Sequence, residues 1–438
     1  RCFCYNIRIM SDNYRKIFKI ALPSIATNIS VPLLGFADMA IAGHIGAAPY
    51  IAAVSLGAAM ISLLYWNFGF LRMSTTALTA QALGARRLGV CCQVLVRALV
   101  IAMIGAVVIL LIKNLIIDLV LRYSQASVET EELTSRYINI CLLGAPASLA
   151  TYTFKGWLVG MQNTKSTMYI AVGENVLNVL LSALFVFAFG FGIEGIAWGT
   201  VVAQYLGTAF CLFIYLTAYK RIGQYADFSR PFDGILNFFK VNSLIFIRNL
   251  CMIAVTVCFT LFGSGYGELV LAVNACIMQF FTFFSYFMDG FAFAGEAIVG
   301  KTEGARQMDE QRRTIQRLFN IGVAMAITFA IIYGIGLTPI VSLLTDDIAV
   351  RETSKELRLY AMLIPIMSFA AFLWDGIYVG KLWSKHMSIS LLLAAGVFFT
   401  IYNAMADVIG PNVLWIAFLS YAATRGLYQT VVYLNSKS

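Results

Sequence analysis

The chain repeats itself at a distance of 220 residues, which is half of its 438-residue length to within one position. The matching pairs are Gly84-Ala85-Arg86 with Gly304-Ala305-Arg306, Gly156 with Gly376, Gly160 with Gly380, Lys165 with Lys385, and Ile196-Ala197 with Ile416-Ala417. Because the shift is constant across three separate blocks of each half, we infer that one ancestral unit is used twice.

The composition indicates that this unit lies in a membrane. Hydrophobic residues make up 60% of the chain and charged residues only 12%, whereas soluble domains contain roughly 25% charged residues. A helix needs about 20 apolar residues to span the hydrocarbon core of a bilayer. Such stretches lie near residues 15–42, 50–78, 92–117, 135–160, 166–190, 193–219, 238–263, 268–297, 314–338, 357–380, 386–408 and 411–434. The sequence therefore predicts an all-α integral membrane protein whose twelve transmembrane helices form two homologous six-helix bundles.

The repeat also predicts how the chain is divided. We expect residues 10–225 to form an N-terminal lobe and residues 226–438 a C-terminal lobe, joined by a polar linker. Residues 1–9 lie outside the repeat and are expected to be a non-native or disordered extension, with translation beginning at Met10 before the capping cluster 11–13. Two homologous membrane lobes that enclose a cavity have the geometry of a transporter.

Lysine and arginine predict the orientation of the chain in the membrane. If both termini are cytoplasmic, most of these residues fall in cytoplasmic loops, as the positive-inside rule requires. We therefore expect a multi-pass protein of the inner (cytoplasmic) membrane with both termini in the cytoplasm. The net charge of +9 is then a signal of topology, and no basic run with interleaved aromatic residues suggests a nucleic-acid partner.

Metal and cofactor sites are not expected. The chain has nine cysteines and two histidines, and their spacing fits neither a zinc site nor a disulfide framework. Paired-histidine, GxSxG and Walker motifs are missing from the sequence, so enzymatic activity is not expected either.

Several motifs resemble those of the multidrug and toxic compound extrusion (MATE) transporters. These are Pro23 in the first helix, FADMAIAGHIG from Phe36, QALGARR from Gln81, GWLVGMQNTK from Gly156 and IEGIAWGTVVAQY from Ile193. MDGFAFAGEA from Met288 and WDGIYVGKLWSK from Trp374 resemble the DinF-like branch of that family.

The resemblance implies a secondary antiporter that exports amphipathic organic compounds, often cationic, in exchange for protons or sodium, and we expect protons rather than sodium. Its partners would be the small-molecule substrate and the bilayer, it would need no cofactor beyond the ion gradient, and we expect a monomer. An alternative function is a flippase for lipid-linked precursors, which occurs in the same superfamily and should show a more basic central cavity.

Charged residues inside the membrane are the candidate coupling groups, because such groups are costly unless they face a cavity or a partner. Asp38 lies six residues after Pro32 in a helix that also contains Pro23, and both prolines permit a kink. The resemblance implies a cation-coupling Asp at this position. The alternative is a structural Asp that a neighbouring donor satisfies.

Further polar residues of the N-terminal lobe complete this predicted site. Glu174, Asn178 and Ser182 are spaced four residues apart and share one helix face. The resemblance implies that Tyr137, Asn178 and Thr200 are the family's polar positions, and that many relatives have a second Asp in place of Ser182 and a neutral polar residue in place of Lys155. We therefore expect Lys155 to occupy the place of a bound sodium ion and to pair with Asp38 beside Asn178 and Thr200. The alternative is that Lys155 extends to the membrane interface.

The C-terminal lobe contains a second set of candidates. Asp289 and Glu296 are seven residues apart and share a helix face, Asp375 lies in the WDG motif, and Arg248 is the base set against these three acids. Arg248 can neutralise one or two carboxylates, so at least one acid is expected to bind a proton or cation. Asp375 also matches a family position implicated in coupling. The alternative is a purely structural network. Arg425 is placed nearer a helix end and is not assigned to the site.

Overall fold

The computed structural model describes residues 2–46, 48–124, 127–225 and 235–436. Nearly all of these residues are helical, and none of them forms a β-strand. The predicted all-α class is therefore confirmed for the part of the chain that is described.

Ten helical segments within these ranges are long and apolar enough to cross a membrane, judged by length and composition. The last of them, Ser384–Asn435, contains two helices separated by a turn at Gly410, where φ is +67°. The segment from Val128 to Gly160 provides one more, because a 3₁₀ turn at Leu142–Gly144 divides it into pieces of 14 and 16 residues. The predicted twelve transmembrane helices are confirmed.

The N-terminal lobe comprises the described residues between Leu22 and Phe238. Its helices are α1 (Cys2–Ile45, from residue 22 onward), α2 (Ala48–Asn67), α3 (Gly69–Gly84), α4 (Leu88–Leu111), α5 (Lys113–Ser124), α6 (Val128–Cys141), α7 (Ala145–Gly160), α8 (Thr164–Ala183) and α9 (Gly192–Ile214). Helix α1 continues through both Pro23 and Pro32. The hydroxyl of Thr27 donates to the Pro23 carbonyl at 3.0 Å.

The C-terminal lobe comprises residues 2–21 and 239–436. Beyond the start of α1, its helices are α10 (Ile235–Ser264), α11 (Glu268–Gly304), α12 (Met308–Leu344), α13 (Ile348–Glu356), α14 (Arg358–Gly380), α15 (Ser384–Ile409) and α16 (Val413–Asn435). The expected boundary between residues 225 and 226 borders the segment 226–234, which lies outside the described residues.

The first turns of α1 pack on the C-terminal lobe. Phe18 makes an edge-to-face contact with Phe291 at 5.7 Å between ring centroids, and the Lys16 ammonium lies 3.5 Å from the Glu310 carboxylate. Ile17 is buried at 1% exposure. Apolar burial therefore places this end of α1 in the C-terminal lobe, although the sequence predicted that residues 10–21 belong to the N-terminal lobe. Residues 2–9, expected to be an extension, continue α1 at its amino-terminal end.

The two lobes share the same backbone detail at repeat-related positions. The non-glycine residues with positive φ in the described chain are Arg86 (58°), Gln162 (64°), Arg306 (55°) and Leu382 (57°), which form two pairs separated by 220 residues. Such a conformation is uncommon outside glycine. Its recurrence at matched loops shows that the repeat extends to structure.

Close helix packing repeats as well. A Cβ at Gly160 would lie 2.7 Å from the Thr76 carbonyl oxygen, and a Cβ at Gly380 would lie 2.8 Å from the carbonyl oxygen of Glu296, the residue equivalent to Thr76. Only glycine fits at such distances, so α7 approaches α3 in the same way as α14 approaches α11. The predicted homology of the two bundles is therefore confirmed.

Candidate functional site

Asp38 is a buried carboxylate of the N-terminal lobe. It lies on α1 at 8% exposure, and its Oδ1 atom is buried without a hydrogen-bond partner in the described part of the protein. Its electrostatic neighbours Tyr137 and Cys141, both on α6, are neutral groups. Burying a charge is costly unless it is paired, so this carboxylate is chemically suited to bind a proton or another cation.

The predicted polar residues of the N-terminal lobe lie together beside this carboxylate. The Asn178 amide donates to Thr200 Oγ1 at 3.1 Å, and the Ser182 hydroxyl donates to Asn178 Oδ1 at 3.2 Å. Tyr137 is buried and lies beside Thr200. Helices α6, α8 and α9 thus contribute a chain of neutral hydrogen-bonding groups that extends from Tyr137, next to Asp38, to Ser182.

Gly199 explains why α8 and α9 come close enough for these bonds. A Cβ at this position would lie 2.5 Å from the Ser182 backbone nitrogen and 2.7 Å from its Cα. Glycine therefore permits direct backbone contact between the helices, which brings Thr200 within reach of Asn178. The four-residue spacing of Asn178 and Ser182 then places both on the face that meets α9.

The predicted pairing of Lys155 with Asp38 is wrong. The Lys155 ammonium on α7 contacts Glu174 Oε2 on α8 at 2.9 Å, and the two side chains are 16% and 15% exposed. Glu174 lies in the middle of α8, one turn before Asn178, and within reach of the Lys155 side chain. The alternative, an ammonium extended to the membrane interface, does not fit an ammonium that is paired with this carboxylate and only 16% exposed.

Asp375 is the centre of the buried charges in the C-terminal lobe. Its Oδ2 atom accepts from Arg248 Nη2 at 2.5 Å and from Arg425 Nη2 at 2.7 Å. Its Oδ1 atom accepts from Gln429 Nε2 at 3.2 Å. All four residues are buried, so this network joins α10, α14 and α16.

The expectation of three acids against one base in this lobe is wrong. Arg425 is a second base, and it is only 4% exposed. It was not assigned to the predicted site because it was expected to lie near a helix end. Its position one turn before the polar Gln429 in an otherwise apolar helix was the signal that could have identified it. Two guanidinium groups therefore share the Asp375 carboxylate.

Asp289 and Glu296 both lie on α11, where two helical turns separate them. Asp289 is partly buried and Glu296 is buried to 1% exposure. The backbone of Glu296 contacts Gly380 on α14, so this acid is held at a tight helix crossing. Both residues were candidate acids of the sequence-predicted site, and both lie on the same helix.

The lobes therefore place opposite charges at equivalent positions of a common scaffold. Lys155 and Asp375 are related by the 220-residue shift, and each is the centre of a buried ion pair or network. Across the described chain, no group of three His, Cys, Asp or Glu side chains is arranged to hold a metal ion.

The MatE family model matches residues 23–184 and 245–405, one match in each lobe. The chain is 31% identical to DNA damage-inducible protein F of Escherichia coli (strain K12) over 98% of this chain and 93% of that protein. It is 24% identical to the probable multidrug resistance protein NorM of Bacillus cereus over 93% of this chain and 90% of that protein. A solved structure of the Vibrio cholerae MATE transporter VcmN in the bent form has the same fold, with a TM-score of 0.85 at 17% identity over 97% of each chain.

Proposed function

Since this chain belongs to the MatE family, whose members include multidrug transporters, we propose that it is a secondary active antiporter. It exports amphipathic organic compounds, often cationic, in exchange for protons. Its relatives are transporters, and we propose no enzymatic activity for the chain. The proposal includes a monomer in the inner membrane with both termini in the cytoplasm, as the distribution of lysine and arginine suggests.

The unpartnered carboxylate oxygen of Asp38 is the observation that carries this proposal. Lys155 is held by Glu174, so no ammonium neutralises Asp38 from that side. Binding of a proton would remove the buried charge and its energetic cost. Because Asp38 follows Pro23 and Pro32 on α1, a change in its charge can be coupled to the shape of a helix that lacks two backbone hydrogen bonds.

Exchange requires that the proton and the substrate compete. A protonated Asp38 no longer attracts an organic cation, whereas an ionised Asp38 does, so each ligand lowers the affinity for the other. Tyr137, Asn178 and Thr200 add neutral hydrogen-bonding groups that can orient the substrate without adding charge.

The Asp375 network favours a second candidate function, a flippase for lipid-linked precursors. Two arginines share one aspartate there, and guanidinium groups are suited to binding an anionic head group. This observation concerns the C-terminal lobe alone and involves no unpartnered acid, so we rank the function second.

Transport into proteoliposomes tests both candidates. A fluorescent organic cation should move when a pH gradient is imposed and should respond less to a sodium gradient. Asp38→Asn should abolish the response to the pH gradient, whereas Asp407→Asn, at an exposed position on α15, should leave it intact. A response in Asp38→Asn equal to that of the wild type would refute the proposed coupling, and movement of a lipid-linked precursor in place of the cation would favour the flippase.

A second coupling site in the C-terminal lobe is tested in the same assay. Asp289, Glu296 and Asp375 are the candidate acids. If this lobe contains a coupling site, Asp289→Asn or Asp375→Asn should change the pH dependence of transport. Wild-type pH dependence in both variants would confine coupling to the N-terminal lobe.

A further inference from the structure

The Lys155–Glu174 pair is the one buried Lys–carboxylate pair that the structure describes in the N-terminal lobe. The ammonium and carboxylate are 2.9 Å apart, and the pair links α7 to α8. A buried ion pair contributes little net stability compared with a well-packed apolar pair. Its presence in the middle of a membrane helix bundle therefore points to a role other than holding the lobe together.

Two threonine hydroxyls lie on helices that flank the pair. Thr151, one turn before Lys155 on α7, shares a 2.9 Å hydrogen bond with Thr208 on α9. The neighbouring residue Gly207 leaves room for the carboxylate, because a Cβ there would lie 3.2 Å from Glu174 Cδ. A carboxylate with nearby hydroxyl oxygens is the kind of environment that hard cations such as sodium favour.

The second lobe shows that the repeat unit folds without this pair. The positions equivalent to Glu174 and Thr151 are Ala394 and Ala371, which are buried at 0% and 1% exposure. The same helix packing is thus reached with two methyl groups in place of a carboxylate and a hydroxyl. The ion pair is a feature of the N-terminal lobe and is not part of the shared scaffold.

We propose that Lys155 determines the ion specificity of the N-terminal lobe by acting as a tethered cation beside Glu174. Its ammonium occupies the place beside Glu174 that a sodium ion would otherwise fill, which leaves Asp38 as the carboxylate of this lobe that is open to the coupling ion. A covalently attached group competes at an effective concentration in the millimolar range or above. The role of Lys155 in transport rests on the proposed antiport function. Sodium binding beside Glu174 can be measured without transport.

Equilibrium binding of radioactive sodium to the purified, detergent-solubilised full chain tests this inference. Lys155→Met removes the tethered cation and leaves Glu174 in place. We expect this variant to bind sodium at least about tenfold more tightly than the wild type, a difference of about 1.4 kcal/mol. The added Glu174→Gln substitution should abolish the gain.

Lys355→Met is the matched control. It also breaks a Lys–Glu pair, but Glu352 is 63% exposed and water solvates it, so no sodium site should form. If Lys155→Met is not monodisperse on size exclusion, Lys155→Gln is measured in its place with the same expected result.

Two outcomes would overturn the inference. One is sodium binding to the Lys155 variant that is no tighter than to the wild type. The other is a gain that persists after Glu174→Gln, because Glu174 would then not be the ligand. Neither outcome depends on proton-driven transport, so a failure of the proposed antiport function would be recognised separately, through Asp38→Asn.

Discussion

Removal of the Asp375 carboxylate is expected to destabilise the C-terminal lobe more than removal of either arginine bound to it. Asp375→Asn takes the shared counter-charge from Arg248 and Arg425, which approach the same oxygen at 2.5 and 2.7 Å. Breaking one buried ion pair by removal of a partner costs roughly 3–5 kcal/mol. Because two pairs are broken here, we expect a loss at the upper end of that range or beyond it.

Arg425→Met is expected to have a smaller effect. The variant retains the pair between Arg248 and Asp375 and the hydrogen bond from Gln429. The lost contacts are one hydrogen bond between charged groups, which contributes about 1.5–3 kcal/mol, and the cation–π contact with the Tyr421 ring at 5.4 Å, which contributes about 0.5–1 kcal/mol. Methionine fills part of the space of the arginine stem, so the packing loss is limited.

Thermal unfolding of the detergent-purified variants measures the difference. The unfolding midpoint should fall in the order wild type, Arg425→Met, Asp375→Asn. Glu352→Gln provides the control, because it breaks the exposed pair with Lys355, where the side chains are 63% and 41% exposed, and should cost less than about 1 kcal/mol. If Arg425→Met lowers the midpoint as much as Asp375→Asn does, the shared-carboxylate argument fails.

Two further predictions concern packing. Gly199→Ala should lower the free energy of unfolding by about 1–3 kcal/mol, because the added Cβ collides with Ser182. Gly173→Ala has no atom within 4 Å of the added Cβ and should leave the free energy of unfolding unchanged or raise it by up to about 1 kcal/mol. Equal unfolding midpoints for the two variants would contradict the close approach of α8 and α9. Phe18→Ala should lower the unfolding midpoint more than Glu310→Gln does. Phe18→Ala loses a ring contact that contributes about 0.5–1.5 kcal/mol in addition to the buried apolar area, whereas Glu310→Gln breaks a solvent-exposed ion pair. The reverse order of midpoints would contradict the apolar packing of α1 on the C-terminal lobe.

The repeat and the hydropathy were sufficient to predict the architecture. The twelve apolar segments of the sequence correspond to twelve membrane-spanning segments in the described chain, and the shift of 220 residues reappears in the paired positive-φ loops. The grouping of Asn178, Ser182 and Thr200 was also predictable, because helical spacing alone places the first two on one face. The lobe that holds the start of α1 was not predictable, since order along the chain does not reveal which surface an apolar turn covers.

Partners of the buried charges could not be read from the chain. The sequence located Lys155, Asp38 and Glu174 inside the membrane but paired the lysine with the wrong acid. The packing of α7 on α8 and the space at Gly207 decided that contact. Arg425 was missed for a related reason, because its burial depends on the helices packed around it.

The sequence by itself determined the membrane environment, the duplication and the twelve spans, because these depend on hydrophobicity summed over about 20 residues, which tolerates local error. Only the tertiary structure decided which ionised groups meet, which acid has an unpartnered oxygen and which helix end packs on which lobe. Those outcomes depend on hydrogen-bond distances and angles that a displacement of about 1 Å destroys, and they are set by side chains that lie far apart in the chain.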